Sequence, residues 1–190
     1  MKGKLVIFSA PSGSGKTTIV RKLLEKDLNL EFSISACSRP KRTYEVNGKD
    51  YYFYSIDEFK QKIYQGEFAE WEEVYHDHFY GTLKSEIERI RNQGKNVIFD
   101  VDVKGGVNLK NAYKNEALAL FIMPPSVEEL ERRLVSRSSE GSDKIKLRIE
   151  KAEAELEYAN QFDKIIYNDN LEEAVEEAEK AIRKFIHLNS

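Results

Sequence analysis

Cysteine is nearly absent from this sequence. The single Cys37 has no partner for an intramolecular disulfide, and with only three histidines the chain has too few soft ligands for a closed structural zinc site. A reducing, cytoplasmic setting is the default expectation. Long apolar runs are also missing, since none approaches the roughly eighteen residues that span a bilayer. The run LVIFSA that follows Lys2 and Lys4 is shorter than the roughly seven to fifteen residues of an export-signal core. It reads instead as a buried parallel strand bounded by Gly3 and Pro11. At 41% hydrophobic and 33% charged, the 190 residues suit a globular chain with no membrane partner, enough for one α/β domain and at most two small ones.

A global basic field is lacking as well. Net charge is −3, which argues against a general nucleic-acid binder. The charge is uneven: from Glu150 onward eleven acids face five bases, so the first 149 residues carry a net +3. Phosphate handling therefore belongs upstream. No internal repeat, low-complexity tract or long linker interrupts the chain.

Four short apolar runs read as central strands: LVIFS at 5–9, VIFDV at 97–101, LALFIM at 118–123 and KIIYN at 164–168. Helical patterns alternate with them. Residues 17–26 place Ile19, Val20, Leu23 and Leu24 on one face, while Ser126 with Glu129 and Asn170 with Glu173 form helix-opening boxes. This order predicts a mostly parallel sheet flanked by helices. Residues 32–82 break the rhythm, being rich in tyrosine and phenylalanine with one short helix opened by Ser55 and Glu58, and they read as an inserted subdomain. The segment SSEGSDK at 138–144 reads as a loop between two charged helices, either a mobile lid or an ordinary surface loop.

The strongest local signal is Ala10-Pro11-Ser12-Gly13-Ser14-Gly15-Lys16-Thr17-Thr18, between the first strand and the first helix. This is the P-loop pattern in the context it requires. Its glycines let backbone N–H groups turn toward a phosphate and the helix N-terminus adds its dipole. Lys16 is expected to reach the β and γ phosphates of a nucleoside triphosphate, and the Thr17 hydroxyl to ligate Mg²⁺. Ala10 stands where the general pattern has its first glycine. Asp100, at the end of VIFD, is either the acid that holds Mg²⁺ through water or a solvated strand-end aspartate.

Asp102-Val103-Lys104-Gly105 mimics a GTPase switch, but no asparagine is followed by lysine and then, one residue on, aspartate. The guanine-reading motif of GTPases is thus missing. In the insert, Arg39 and Arg42 lie three apart, followed by Tyr51 and Tyr80. Guanidinium forks and phenolic hydroxyls suit a phosphate monoester. A run such as RPKR equally fits a solvated surface.

Together these segments, APSGSGKTT, ACSRPKRTYEVNGKDYYF, FAEW, YGT and FDVDVKGG, resemble the guanylate kinase family, in order from about Lys4 to about Ile186. The resemblance implies a P-loop α/β core at about 1–31, 83–124 and 149–190, a mixed α/β GMP-binding insert at about 32–82 and a helical lid at about 125–148. It implies Mg²⁺-dependent transfer of the ATP γ-phosphoryl to GMP, feeding purine nucleotide recycling. By motif, the GMP phosphate falls to Ser35, Arg39, Arg42, Tyr51 and Tyr80, and the guanine to Glu70, Thr82 and Asp102. Guanine's N1–H and N2–H₂ form a donor edge that a carboxylate accepts, whereas adenine presents an acceptor at N1. Glu70 is the expected specificity residue, with Thr82 donating to O6. From the residues alone, Glu70 also fits a solvated strand position and Thr82 a helix N-cap. Arg133, Arg137 and Arg148 are implied as lid arginines over the transferring phosphoryl, although helix arginines among glutamates also pair locally. Asn168 is implied on the adenine side.

This chain departs from the family's common pattern at Cys37 and Ser38, at Tyr44 and at Lys104, none of which removes a charged group the reaction needs. Two rival readings stay open: a non-catalytic phosphopeptide-binding module of the same fold, and a kinase for another nucleoside monophosphate. Lys16, Thr17 and the three arginines argue against the first, and Glu70 with Asp102 against the second. Self-association is left open.

Overall fold

The run LVIFS becomes the strand β1 (Leu5–Ser9), buried throughout because helices cover both of its faces. A computed structural model describes residues 2–137 and 142–187, without the side chains of Tyr75, Arg137 and residues 142–145. After β1 the chain forms α1 (Lys16–Leu24), β2 (Leu30–Phe32), β3 (Ala36–Cys37), β4 (Tyr52–Phe53), α2 (Ile56–Tyr64), β5 (Phe68–Tyr75), β6 (His78–Leu83) and α3 (Lys84–Asn92). It continues through β7 (Asn96–Asp100), α4 (Val103–Tyr113), β8 (Ala117–Met123), α5 (Val127–Arg137), α6 (Ser142–Leu156), β9 (Lys164–Tyr167) and α7 (Leu171–His187).

Five strands in the order β2-β7-β1-β8-β9 form an entirely parallel sheet. Side chains alternate between its faces. Val6, Phe8, Ile98, Leu120, Ile122 and Ile166 pack against Ile19, Val20 and Leu23 of α1 and against Ala174, Val175, Ala178 and Ile182 of α7. Leu5, Ile7, Val97, Phe99, Ala119 and Phe121 face Ile87 and Ile90 of α3, Val103 and Leu109 of α4, and Phe162. The four strands expected from apolar runs are all present. The fifth, β2, is a three-residue edge strand with every residue half-buried, so it carries no continuous apolar signal.

The insert builds a second, mixed sheet in the order β4-β3-β6-β5. It has its own core, in which Phe59 of α2 stacks on Phe68 and Phe79 at 4.3 and 5.6 Å between ring centroids. The Ser55–Glu58 capping box that opens α2 is complete. Glu86, buried in the first turn of α3, ties the two sheets together: it accepts from the Ile34 N–H at 3.2 Å, the Tyr52 hydroxyl at 3.0 Å and the Arg89 guanidinium at 2.9 Å. Burial pushes its carboxyl pKa up, but these donors outweigh burial and hold it below the usual value.

Two expectations need correcting. Residues 142–144 are not loop, because α6 begins at Ser142; residues 138–141 of the expected loop lie outside the described residues. The Ser126 box is half made: Ser126 Oγ accepts from the Glu129 N–H at 3.1 Å, but the Glu129 carboxylate turns instead to Arg132 and Arg133. Two guanidinium partners hold that carboxylate more strongly than one N-cap amide.

Candidate active site

The cradle lies where β1 hands over to α1, at the C-terminal edge of the parallel sheet. Gly13 and Gly15 sit at φ 96° and 89°, in the left-handed region that a side chain disfavours. Gly15 is the N-cap of α1, its carbonyl accepts from the Thr18 N–H at 3.1 Å, and no side chain caps that helix, so the Lys16 and Thr17 N–H groups remain available to an anion. Two neighbours fix the loop from outside. The buried Asn168 donates from Nδ2 to the Ser14 carbonyl at 2.7 Å, so close to Gly15 that a Cβ there would lie 2.4 Å from that nitrogen. Leu130 and Leu134 of α5 pack over Gly13, at 3.1 and 3.5 Å from where its Cβ would be. Ala10 is buried and keeps an ordinary negative φ, which explains why this turn accepts a methyl group.

Lys16 Nζ lies 2.6 Å from Asp100 Oδ1 and also donates to the Val101 carbonyl. The Thr17 hydroxyl donates to Asp100 Oδ2 at 2.7 Å. Asp100 is therefore part of the cradle's mouth rather than a solvated strand end. A hydroxyl and a carboxylate converging beside a lysine form an oxygen donor set that fits a hard divalent cation. Glu73, His76 and Asp77 also lie within metal-binding reach of one another, but at an exposed turn outside the cleft.

A cleft of about 780 Å³ joins the cradle to the insert. Its far wall includes Ser35, Tyr51, Glu70 and Tyr80, and α6 contributes Arg148, Lys151 and Glu155. Lys151 and Glu155 carried no recognisable signal in the sequence, being two more charges on a charged helix. Burial raises the Glu155 carboxyl pKa above the usual range.

Glu70, on β5, is 8% exposed and accepts from the Thr82 hydroxyl of β6 at 2.7 Å. Burial, reinforced by Asp102 and Glu72 and opposed by Thr82, lifts its pKa from 4.5 to about 7. Glu70 is thus not a solvated strand residue. Thr82 is not a helix cap, since α3 is entered through Leu83. Its hydroxyl donates to Glu70 and so orients that carboxylate. Asp102 does cap a helix: Oδ1 accepts from the Gly105 N–H at 2.7 Å, opening α4 beside Glu70.

Arg39 forms a two-pronged pair with Glu45, at 2.7 and 2.5 Å, and its guanidinium lies 5.0 Å from the Tyr51 ring centre. Glu45 also accepts from the Arg42 N–H at 2.8 Å and is 6% exposed. Arg39 in the first place pulls the Glu45 carboxyl pKa down to about 2. Glu45 escaped the sequence reading, although its spacing, six residues after Arg39 and three after Arg42, was the available signal. Arg42 is exposed and donates to the Tyr44 hydroxyl at 2.9 Å. Arg133 donates to Glu129 at 2.8 Å and reaches the Gly13 carbonyl at 3.5 Å, so it is both locally paired and beside the cradle. The Arg137 side chain lies outside the described residues.

The departures at Cys37, Ser38 and Tyr44 are absorbed locally. Cys37 is fully buried and burial pushes its thiol pKa up to about 11, which leaves it inert. Ser38 Oγ donates to the Asp77 carbonyl at 3.0 Å and accepts from the Phe79 N–H at 2.8 Å. Tyr44 meets Arg42 as described.

A glycine cradle on an all-parallel sheet, facing a cleft with a separate buried carboxylate wall, places the chain among the P-loop nucleotide kinases. The guanylate kinase family model matches residues 2–185. A guanylate kinase of Bacteroides fragilis is 53% identical over 189 residues, covering 100% of this chain and 93% of that protein. One from Porphyromonas gingivalis is 54% identical over 184 residues, covering 96% and 98%. The crystal structure of guanylate kinase from Anaplasma phagocytophilum superposes with a TM-score of 0.78 at 29% identity, covering 97% of this chain and 87% of that one. The chain belongs to the guanylate kinase family. Membership implies an enzyme that works on nucleotides with a divalent metal. No helix among the described residues is long and apolar enough to cross a membrane.

Proposed function

We propose that this protein transfers the γ-phosphoryl group of ATP to GMP, giving ADP and GDP, with Mg²⁺ as the metal. The observation that carries the reading is one cleft that joins the P-loop cradle to the buried Glu70 wall. ATP takes the cradle, its β and γ phosphates meeting the first N–H groups of α1 and Lys16. Thr17 and, through water, Asp100 would hold Mg²⁺, which would neutralise phosphate oxygens. Asn168 braces the cradle on the ATP side.

GMP takes the insert. Ser35, Arg39, Arg42, Tyr51 and Tyr80 hold its phosphate, and Glu45 keeps the Arg39 fork aimed. Glu70, oriented by Thr82 and flanked by Asp102, accepts from guanine's N–H edge. A GMP phosphate oxygen forms the new bond to the γ phosphorus as the bond to the ADP oxygen breaks. That nucleophile is already anionic near neutral pH, so no protein base is needed; the chain supplies position and positive charge. Arg133, Arg137 and Arg148, in the lid at about 125–148, neutralise the spreading charge. Closure of insert and lid excludes the water that would hydrolyse ATP.

ADP formation measured with GMP, AMP, CMP, UMP and dTMP as acceptors tests the reading. Turnover with GMP is expected to dominate, and equal turnover with AMP would overturn it. Glu45→Ala is expected to raise the KM for GMP about tenfold or more through misplacement of Arg39. The KM for ATP should not change, as steady-state kinetics with each substrate varied would show.

A further inference from the structure

We propose that Gly105 is a positioning residue for base selection: its missing side chain leaves the space in which the Glu70 and Asp102 carboxylates are held. This rests on the assignment of Glu70 to the guanine edge. Gly105 lies in the first turn of α4, where glycine weakens a helix relative to alanine, so its presence calls for a reason. Conformation is not that reason, because Gly105 does not adopt a positive φ. Space is: a Cβ there would lie 2.7 Å from Glu70 Oε2, 3.3 Å from Glu70 Cδ and 3.0 Å from Asp102 Oδ1.

The neighbouring Gly106 answers to a different constraint. Its Cβ would fall 2.1 Å from Ser9 Oγ, which donates to the Asp102 carbonyl, so that position serves packing between α4 and β1. At Gly105 the obstructed atoms are instead the carboxylate tips of two side chains, Glu70 and Asp102. Glu70 is held from two directions, with Oε1 accepting from Thr82 at 2.7 Å and Oε2 lying over the bare Gly105 Cα. A methyl group would displace Oε2 and press on Asp102 Oδ1, the oxygen that caps α4, while no backbone atom has to move. The cradle has no part in this contact. Gly105 thus governs where the base-reading oxygen sits without touching the phosphate chemistry.

Gly105→Ala tests this in the full chain by thermal unfolding and by kinetics with GMP and ATP varied separately. The expected result is a Tm close to that of the wild type, because alanine's preference for the helix offsets the pressure on the Asp102 cap. The KM for GMP should rise about tenfold, from a misplaced charged acceptor, with the KM for ATP and kcat nearly unchanged. An unchanged KM for GMP overturns the proposal. So does a lowered Tm accompanied by equal changes in both KM values, which marks a general structural defect. Glu70→Gln and the double variant complete the cycle. If Gly105 acts through Glu70, adding Gly105→Ala to Glu70→Gln changes the KM for GMP by less than twofold, whereas full additivity overturns the coupling. Should Glu70→Gln alone leave the KM for GMP unchanged, the guanine assignment itself fails. If Glu70→Gln raises it and Gly105→Ala does not, only the role of Gly105 falls.

Discussion

Lys16→Ala is expected to lower kcat by about 10²–10³-fold, the usual loss when one preorganised charge aimed at a transition state is removed. The reason lies in how this lysine is held. Its ammonium is fixed between Asp100 Oδ1 at 2.6 Å and the Val101 carbonyl, at the mouth of the cradle. In the proposed reaction, charge spreads over the γ-phosphoryl oxygens, and few groups can follow it. In the proposed arrangement GMP takes the opposite wall, with Glu70 and Tyr51, so its dissociation constant should change less than twofold. Calorimetric titration of GMP beside steady-state kinetics separates the two effects. Turnover within threefold of the wild type would remove Lys16 from the chemistry. The lysine's loss also strips Asp100 of its cationic partner and leaves it with the Thr17 hydroxyl, so a melting curve must show that the variant is folded.

Glu70→Gln is expected to raise the KM for GMP about 10–100-fold, the range for losing hydrogen bonds to a charged group. The amide turns a donor toward guanine's donor edge while its oxygen can still accept from Thr82, so folding is spared. Because burial lifts the Glu70 pKa to about 7, the wild-type kcat/KM for GMP should rise with pH through about 7 as the accepting carboxylate forms. GMP's own phosphate ionises near a pKa of about 6. The variant should therefore keep the phosphate step and lose the one near 7.

Stability moves the other way. Between pH 4.5 and about 7 the folded protein keeps a proton on Glu70 that the unfolded chain has released. Ionisation therefore opposes folding, and wild-type stability falls as pH rises through that window. The Tm of Glu70→Gln relative to wild type should climb from pH 4.5 to 7 and then level off. A pH-independent difference would show that Glu70 does not carry the raised pKa.

The parts of this protein differ in how openly the sequence displays them. The cradle was legible because its determinants are local: two glycines at left-handed φ, a lysine and a threonine lie within nine residues and need only a strand before them and a helix after. The central strands were legible because burial on both faces writes an unbroken apolar run. β2 was not, since an edge strand of three half-buried residues leaves no such mark. The extent of α6 was missed because serine, glycine and aspartate usually punctuate loops, yet Ser142 and Asp143 stand at a helix N-terminus, where such residues are equally at home.

The carboxylate wall shows the limit most clearly. Taken singly, Glu70 looks like a solvated residue of an alternating strand and Thr82 like a helix cap, and only the family resemblance said otherwise. The antiparallel pairing of β5 with β6 sets Glu70 opposite Thr82, and the hand-over from β7 to α4 brings Asp102 and Gly105 against them. Twelve to thirty-five residues separate Glu70 from the others along the chain. By itself the sequence determined the parallel core and the phosphate cradle, whose physics acts between near neighbours. Tertiary structure alone decided that Glu70 is buried, with its pKa raised to about 7, and that it lies against Thr82 and Gly105, because desolvation and close approach depend on what the fold packs around a side chain.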